Sequence, residues 1–118
     1  MLQIKLVNEL KIVENLCAIH GIEFCGAIFA YEMTGSNSKG YCLFSHDADT
    51  AQILAFDVQP YTFPDAEALI RSVLFFLYKQ GVVEIGCKCG IFKKMGYVDK
   101  DDACIDPENF FNSPCGGS

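Results

Sequence analysis

The residues of this chain that can do chemistry gather in two places. The stretch Gly86-Cys87-Lys88-Cys89-Gly90 sets two thiols one residue apart, beside a lysine. Such a pair can hold a thiol of depressed pKa or supply half of a soft-metal site. A four-ligand site needs two more donors; Cys104 and Cys115 are available, although no second tight pair occurs. The plainer reading is a set of structural thiols. The second place is Asp57, the one ionisable residue in the apolar run 53–58. It can take a proton from an amine, directly or through water; the plainer reading is a strand-end carboxylate facing solvent. Glu32 and His46 fall at the ends of neighbouring apolar segments and are weaker candidates. His20, just before Gly21, reads as a helix-end side chain meeting the last carbonyls.

The 118 residues that must position these groups amount to one domain, spanning 1–118. With 51% hydrophobic and 20% charged residues, the chain can bury a core. Its net charge of −6 argues against nucleic acid and anionic membrane surfaces as partners, since both call for a basic footprint. No apolar run approaches the roughly 20 residues of a membrane span, and the first residues lack the pattern of a signal peptide. A cytoplasmic protein is expected, its seven cysteines mostly reduced and several of them buried as small hydrophobes.

Periodicity supplies the elements. Residues 2–7 alternate as a half-buried strand, and Asn8 is placed to cap a helix over 9–19 with Leu10, Val13, Leu16 and Cys17 on one stripe. Gly21 stops it. Strands follow over 24–33, 41–46 and 52–58, separated by turn clusters at 34–40 and 46–50, which makes an antiparallel meander. Pro60 and Pro64 break the pattern. Asp65 then reads as the cap of a helix carrying Leu69, Ile70, Val73, Leu74 and Leu77, which ends at Gly81. A buried strand over 82–87 should lie parallel to its predecessor, the helix being the crossover. A short helix is expected at 91–95, a last strand opening at Tyr97-Val98, and an irregular tail from 106. Phe75 and Phe76 cannot both face one core, so one of them, with Tyr78, is expected to bury against a second copy in a homodimer.

This order of elements resembles the GNAT superfamily of N-acetyltransferases, an α/β (α+β) fold with a mixed, mainly antiparallel sheet, a splayed parallel strand pair and flanking helices. Two stretches carry the resemblance: Ile53-Leu-Ala-Phe-Asp-Val-Gln-Pro60 with the helix after it, and Phe92-Lys-Lys-Met-Gly-Tyr-Val98, similar to the family's closing Tyr-x-x-Leu-Gly-Phe segment. The resemblance implies acetyl-CoA as cofactor, its pantetheine arm along Phe56, Asp57 and Val58 and its diphosphate at the helix start formed by Phe63, Pro64, Asp65, Ala66, Glu67 and Ala68. It also implies a small-molecule or peptide amine as acceptor. Ala66 stands where the family places a glycine, Phe63 where it places Arg or Gln, and Phe92 where it places a tyrosine that serves as general acid to the departing thiolate. Asp65 and Glu67 bring two carboxylates to the diphosphate turn, and a like charge at ~4–6 Å costs on the order of 1 to a few kcal/mol. Three functions follow: an acetyl-CoA-dependent N-acyltransferase, a GNAT-like module that binds without catalysis, and a thiol-redox or metal protein built on Cys87 and Cys89.

Overall fold

A computed structural model of the chain describes residues 2–35, 37–100 and 103–112. Among these described residues nine elements follow one another: β1 (Gln3–Leu6), α1 (Leu10–Ile19), β2 (Ile28–Thr34), β3 (Lys39–Asp47), β4 (Thr50–Gln59), α2 (Phe63–Lys79), β5 (Glu84–Cys87), α3 (Ile91–Lys94) and α4 (Pro107–Asn112). The five strands form one sheet whose spatial order is the chain order. The first three pairings are antiparallel, while β4 and β5, joined by the α2 crossover, run parallel. A mixed, mainly antiparallel sheet with flanking helices is therefore the architecture.

Alternation along the strands divides the apolar residues between two faces. Met33, Cys42, Phe44, Ile53 and Val58 pack with Leu69, Ile70, Val73, Leu74 and Leu77 of α2 in the main core. Ala30, Leu43 and Ala55 face the other way and cluster with Val13 and Cys17 of α1. A β-bulge makes β4 serve both faces. Phe44 pairs with Ile53 and Leu43 with Ala55, which leaves Leu54 as an extra residue. Beyond it the alternation is shifted by one, so Phe56 and Val58 join the α2 core and Asp57 joins the α1 face.

Both long helices end as expected. Gly21 and Gly81 adopt φ of 66° and 86°, and the amides after them close back on Cys17 O and Leu77 O. The starts differ. Glu9, in extended conformation, precedes α1 without a side-chain cap, so Asn8 does not play that part. For α2 the cap is Thr62, whose Oγ1 accepts the Asp65 amide at 3.3 Å, and the helix begins two residues earlier than Asp65. Thr62 and Asp65 both suit a cap by type; Pro64 decides between them, because its fixed φ and missing N–H suit a first turn.

Tyr97-Val98 opens no strand. Instead Ile105 makes an isolated antiparallel bridge with Ile85, each amide donating to the other's carbonyl at 2.8 Å. The tail is not irregular throughout: α4 forms after Asp106, whose Oδ1 accepts the Glu108 amide at 3.0 Å. Its Phe111 ring meets Phe75 at 5.6 Å and Tyr78 at 5.8 Å between centroids, and Arg71 stacks over Phe110 and Phe111. Phe76 turns inward to Phe44 and Tyr31. Phe76 is thus the one of the pair that faces the core, while Phe75, 49% exposed, and Tyr78 meet the Phe111 ring. Cys115 and the rest of 113–118 lie outside the described residues, as does Ser36 in the 34–40 turn.

Candidate functional site

The open half of β4 positions the site. Its pairing with β5 covers only Thr50–Ile53 against Glu84–Cys87, and the Lys88 amide closes it with a 2.8 Å bond to Ile53 O. Among the described residues, the rest of β4 to Gln59 has no strand on that side. β5 ends at Cys87, and beside the part of β4 beyond it lies a cleft of about 200 Å³ lined by Phe56, Asp57, Val58, Tyr61, Cys89, Ile91 and Lys94. Lys94 Nζ lies 3.9 Å above the Tyr61 ring, a cation–π contact at the cleft wall.

α2 starts at Phe63, two residues after Tyr61 of the cleft. Pro64 has no amide hydrogen, the Asp65 amide bonds Thr62 Oγ1 and the Ala66 amide bonds Thr62 O at 3.0 Å. The donors that a diphosphate would need from Asp65 and Ala66 are committed within the chain. Phe63 and Pro64 are exposed, Asp65, Glu67 and Ala68 half-buried, and Ala66 fully buried under the helix. Phe92 is likewise core, 1% exposed.

On the other side of β4, between the sheet and α1, lies a pocket of about 310 Å³. Val7, Ile12 and Leu16 make its apolar wall. Its floor is a cross-strand row: Glu32 pairs with Tyr41, and Tyr41 with Asp57, so two carboxyl side chains flank a phenol. Lys5, opposite Glu32 on β1, reaches it at 3.7 Å, and Lys39 also lines the pocket. Tyr41 hydrogen-bonds Nε2 of His20, so that histidine reaches across to β3 rather than to its own helix end. Burial, and secondarily the charge of Asp57, raise the Tyr41 pKa, which keeps its hydroxyl protonated. Gln59 Nε2 stands 3.5 Å from Asp57 Oδ1. Behind the row Gly40 is obligatory, because a Cβ there would sit 2.5 Å from Asp57 O and 2.9 Å from Val58 Cγ2.

Asp57 borders both cavities. Strand order and register bring Glu32 to it. His46 is not brought there; its Nε2 meets Ala48 O at 3.1 Å in the β3–β4 turn. Tyr41 and Lys94 are the residues that sequence reasoning missed. Tyr41 had a signal, being the first residue after the 34–40 turn on a strand paired with that of Asp57; Lys94 had none, since its place depends on how β5 departs from β4.

Cys89 of the cleft is in contact with Cys87, the two Sγ atoms lying 3.6 Å apart. The hydrogen bond from Cys89 is the chief cause that lowers the Cys87 pKa to about 5; burial opposes it, and amides of Phe92, Cys89 and Ile91 reinforce it. The same contact, with burial, pushes Cys89 up. Burial also raises Cys42, beneath them, and Cys17. Among the described residues no group of three or more His, Cys, Asp or Glu side chains has the arrangement to hold a metal ion, so Cys104 does not complete a set with this pair.

Comparison of the chain with protein-family models, with curated proteins and with solved structures finds no match.

Proposed function

We propose that the chain is a GNAT-like domain that binds a small-molecule or peptide amine in the pocket under α1. The observation that carries this is the row Glu32–Tyr41–Asp57 beneath an apolar wall. An alkylammonium group is a cation on an aliphatic body, and this pocket offers carboxylates to one end and Val7, Ile12 and Leu16 to the other. A pocket of about 310 Å³ is at the small end for ligand sites, which suits a short amine or a single side chain.

Acetyl-CoA, the cofactor the GNAT resemblance implies, meets a divided reception. The cleft beside Phe56, Asp57 and Val58 has room for a narrow arm. The α2 start does not fit a diphosphate: one amide is missing, two are committed to Thr62, and Asp65 and Glu67 repel the anion. Without that anchor most of the cofactor's charge goes unmatched. The pocket's own residues still define one chemical act. Asp57, at the boundary of the two cavities, is placed to accept a proton from a bound ammonium and turn that amine toward the cleft.

The second reading is an active N-acyltransferase, and the observation that favours it is Asp57 standing between the two cavities. Calorimetric titration separates the two, with n-butylamine and a lysine-containing peptide in one arm and acetyl-CoA in the other. Expected are binding of an amine, weakened about tenfold (roughly 1.4 kcal/mol) in Asp57→Asn, and no heat from acetyl-CoA at millimolar concentration. Tight acetyl-CoA binding with acetylated amine as product would establish the enzyme instead. If neither amine binds, the pocket reading fails.

A further inference from the structure

Cys89 lines the cleft and Cys87 lies against it, a thiol pair that amine binding does not use. Cys87 ends β5, Cys89 faces it across Lys88, and Gly90 (φ 75°) then turns the chain into α3. The sulfurs, at 3.6 Å, need to close by about 1.5 Å to reach bonding distance near 2.05 Å. Cys87 is half-buried and Cys89 exposed, so an outside reagent can reach them. Cys89 and the amides of Phe92, Cys89 and Ile91 favour the Cys87 anion, while burial and the same contact favour the protonated form of Cys89. This is the asymmetry that thiol–disulfide exchange requires, one nucleophile and one resolving thiol. Lys94, on the same cleft wall as Cys89, offers a positive charge to a carboxylate-bearing reagent.

We propose that Cys87 and Cys89 are a dithiol–disulfide centre that reacts with low-molecular-weight disulfides, Cys87 attacking and Cys89 resolving. In the first step the Cys87 thiolate forms a bond to one sulfur of the reagent, whose S–S bond breaks, and the other half leaves as a thiolate. In the second, Cys89 gives up its proton to that thiolate or to water and its sulfur attacks Cys87. The mixed disulfide breaks and the second half departs as a thiolate. From the thiolate–thiol pair the protein has lost one proton and two electrons, and the reagent has become one thiol and one thiolate, which takes its proton from water.

The reduced full chain treated with glutathione disulfide and mapped by mass spectrometry under non-reducing conditions tests this. Expected are a Cys87–Cys89 disulfide in the wild type, a glutathione adduct trapped on Cys87 in Cys89→Ser, and no adduct at Cys89 in Cys87→Ser. Alkylation by iodoacetamide gives a second readout. Because the thiolate is the reacting form, the Cys87 rate should rise through pH about 5 and then level off, while an ordinary thiol with a value of 9.0 is still gaining. Adducts on the exposed Cys25 or Cys104 forming as fast as on Cys87, or an alkylation rate at Cys87 still climbing at pH 8, overturns the proposal. Amine titration of Cys87→Ser separates the two claims: its binding should match wild type whether or not the dithiol reacts.

Discussion

Strand β4 is two different environments end to end. From Thr50 to Ile53 it is held on both sides, by β3 and by β5, and Ala51 and Ile53 are sealed beneath α2. From Phe56 to Gln59 it is held by β3 alone, and cavities lie against its free edge and its α1 face. The first half supplies stability and the second supplies access. The same alternating backbone does both, because β5 stops at Cys87 while β4 runs six residues further. Where a neighbour ends, edge groups become available to something other than the protein.

Substitutions can set the two halves against each other. Ile53→Ala, at a fully buried position in the paired half, should cost about 2–5 kcal/mol in urea unfolding, and Phe56→Ala, half-buried at the open edge, clearly less. Equal losses would mean that the open half is as tightly integrated as the closed one. Gly40→Ala forces a methyl group against the Asp57 carbonyl, so a loss of about 1–3 kcal/mol is expected, accompanied by weaker amine binding. Stability lost with binding intact would detach Asp57 from the pocket. Smallest is Thr62→Ala, which removes the α2 cap at a cost of about 1 kcal/mol and should leave amine binding alone. A gain in acetyl-CoA affinity in that variant would show that the cap, rather than Asp65 and Glu67, bars the anion.

How much of this was legible depends on what kind of signal each element carries. The helix α2 and its end at Gly81 could be read directly, because five core residues repeat at helical spacing and only glycine suits the turn beyond. The parallel crossover followed from helix length. The Leu54 bulge was hidden: residues 53–56 are all apolar, so a shift in alternation leaves no trace in polarity. Asp57 and Glu32 were recognisable as chemistry, but their being neighbours was not. Glu32 and Tyr41 reach Asp57 only through register, which spacing along one chain does not specify. His20 went astray because its partner, Tyr41, is 21 residues away. The α4 helix did have a signal, Asp106-Pro107-Glu108, the cap and first turn of a helix that is only six residues long.

The extra residue at Leu54 acts on the strand as a frameshift acts on a message. Everything after it exchanges inside for outside. Delete it, and the carboxylate at 57 would be driven toward the oily layer, while the ring at 56 and the valine at 58 would swing into the hollow beneath the first helix. Composition would hardly change, yet both cavities would lose their shared wall. The count of residues in this strand therefore matters as much as their kind, and one inserted leucine separates a sheet that merely packs from one that can hold something.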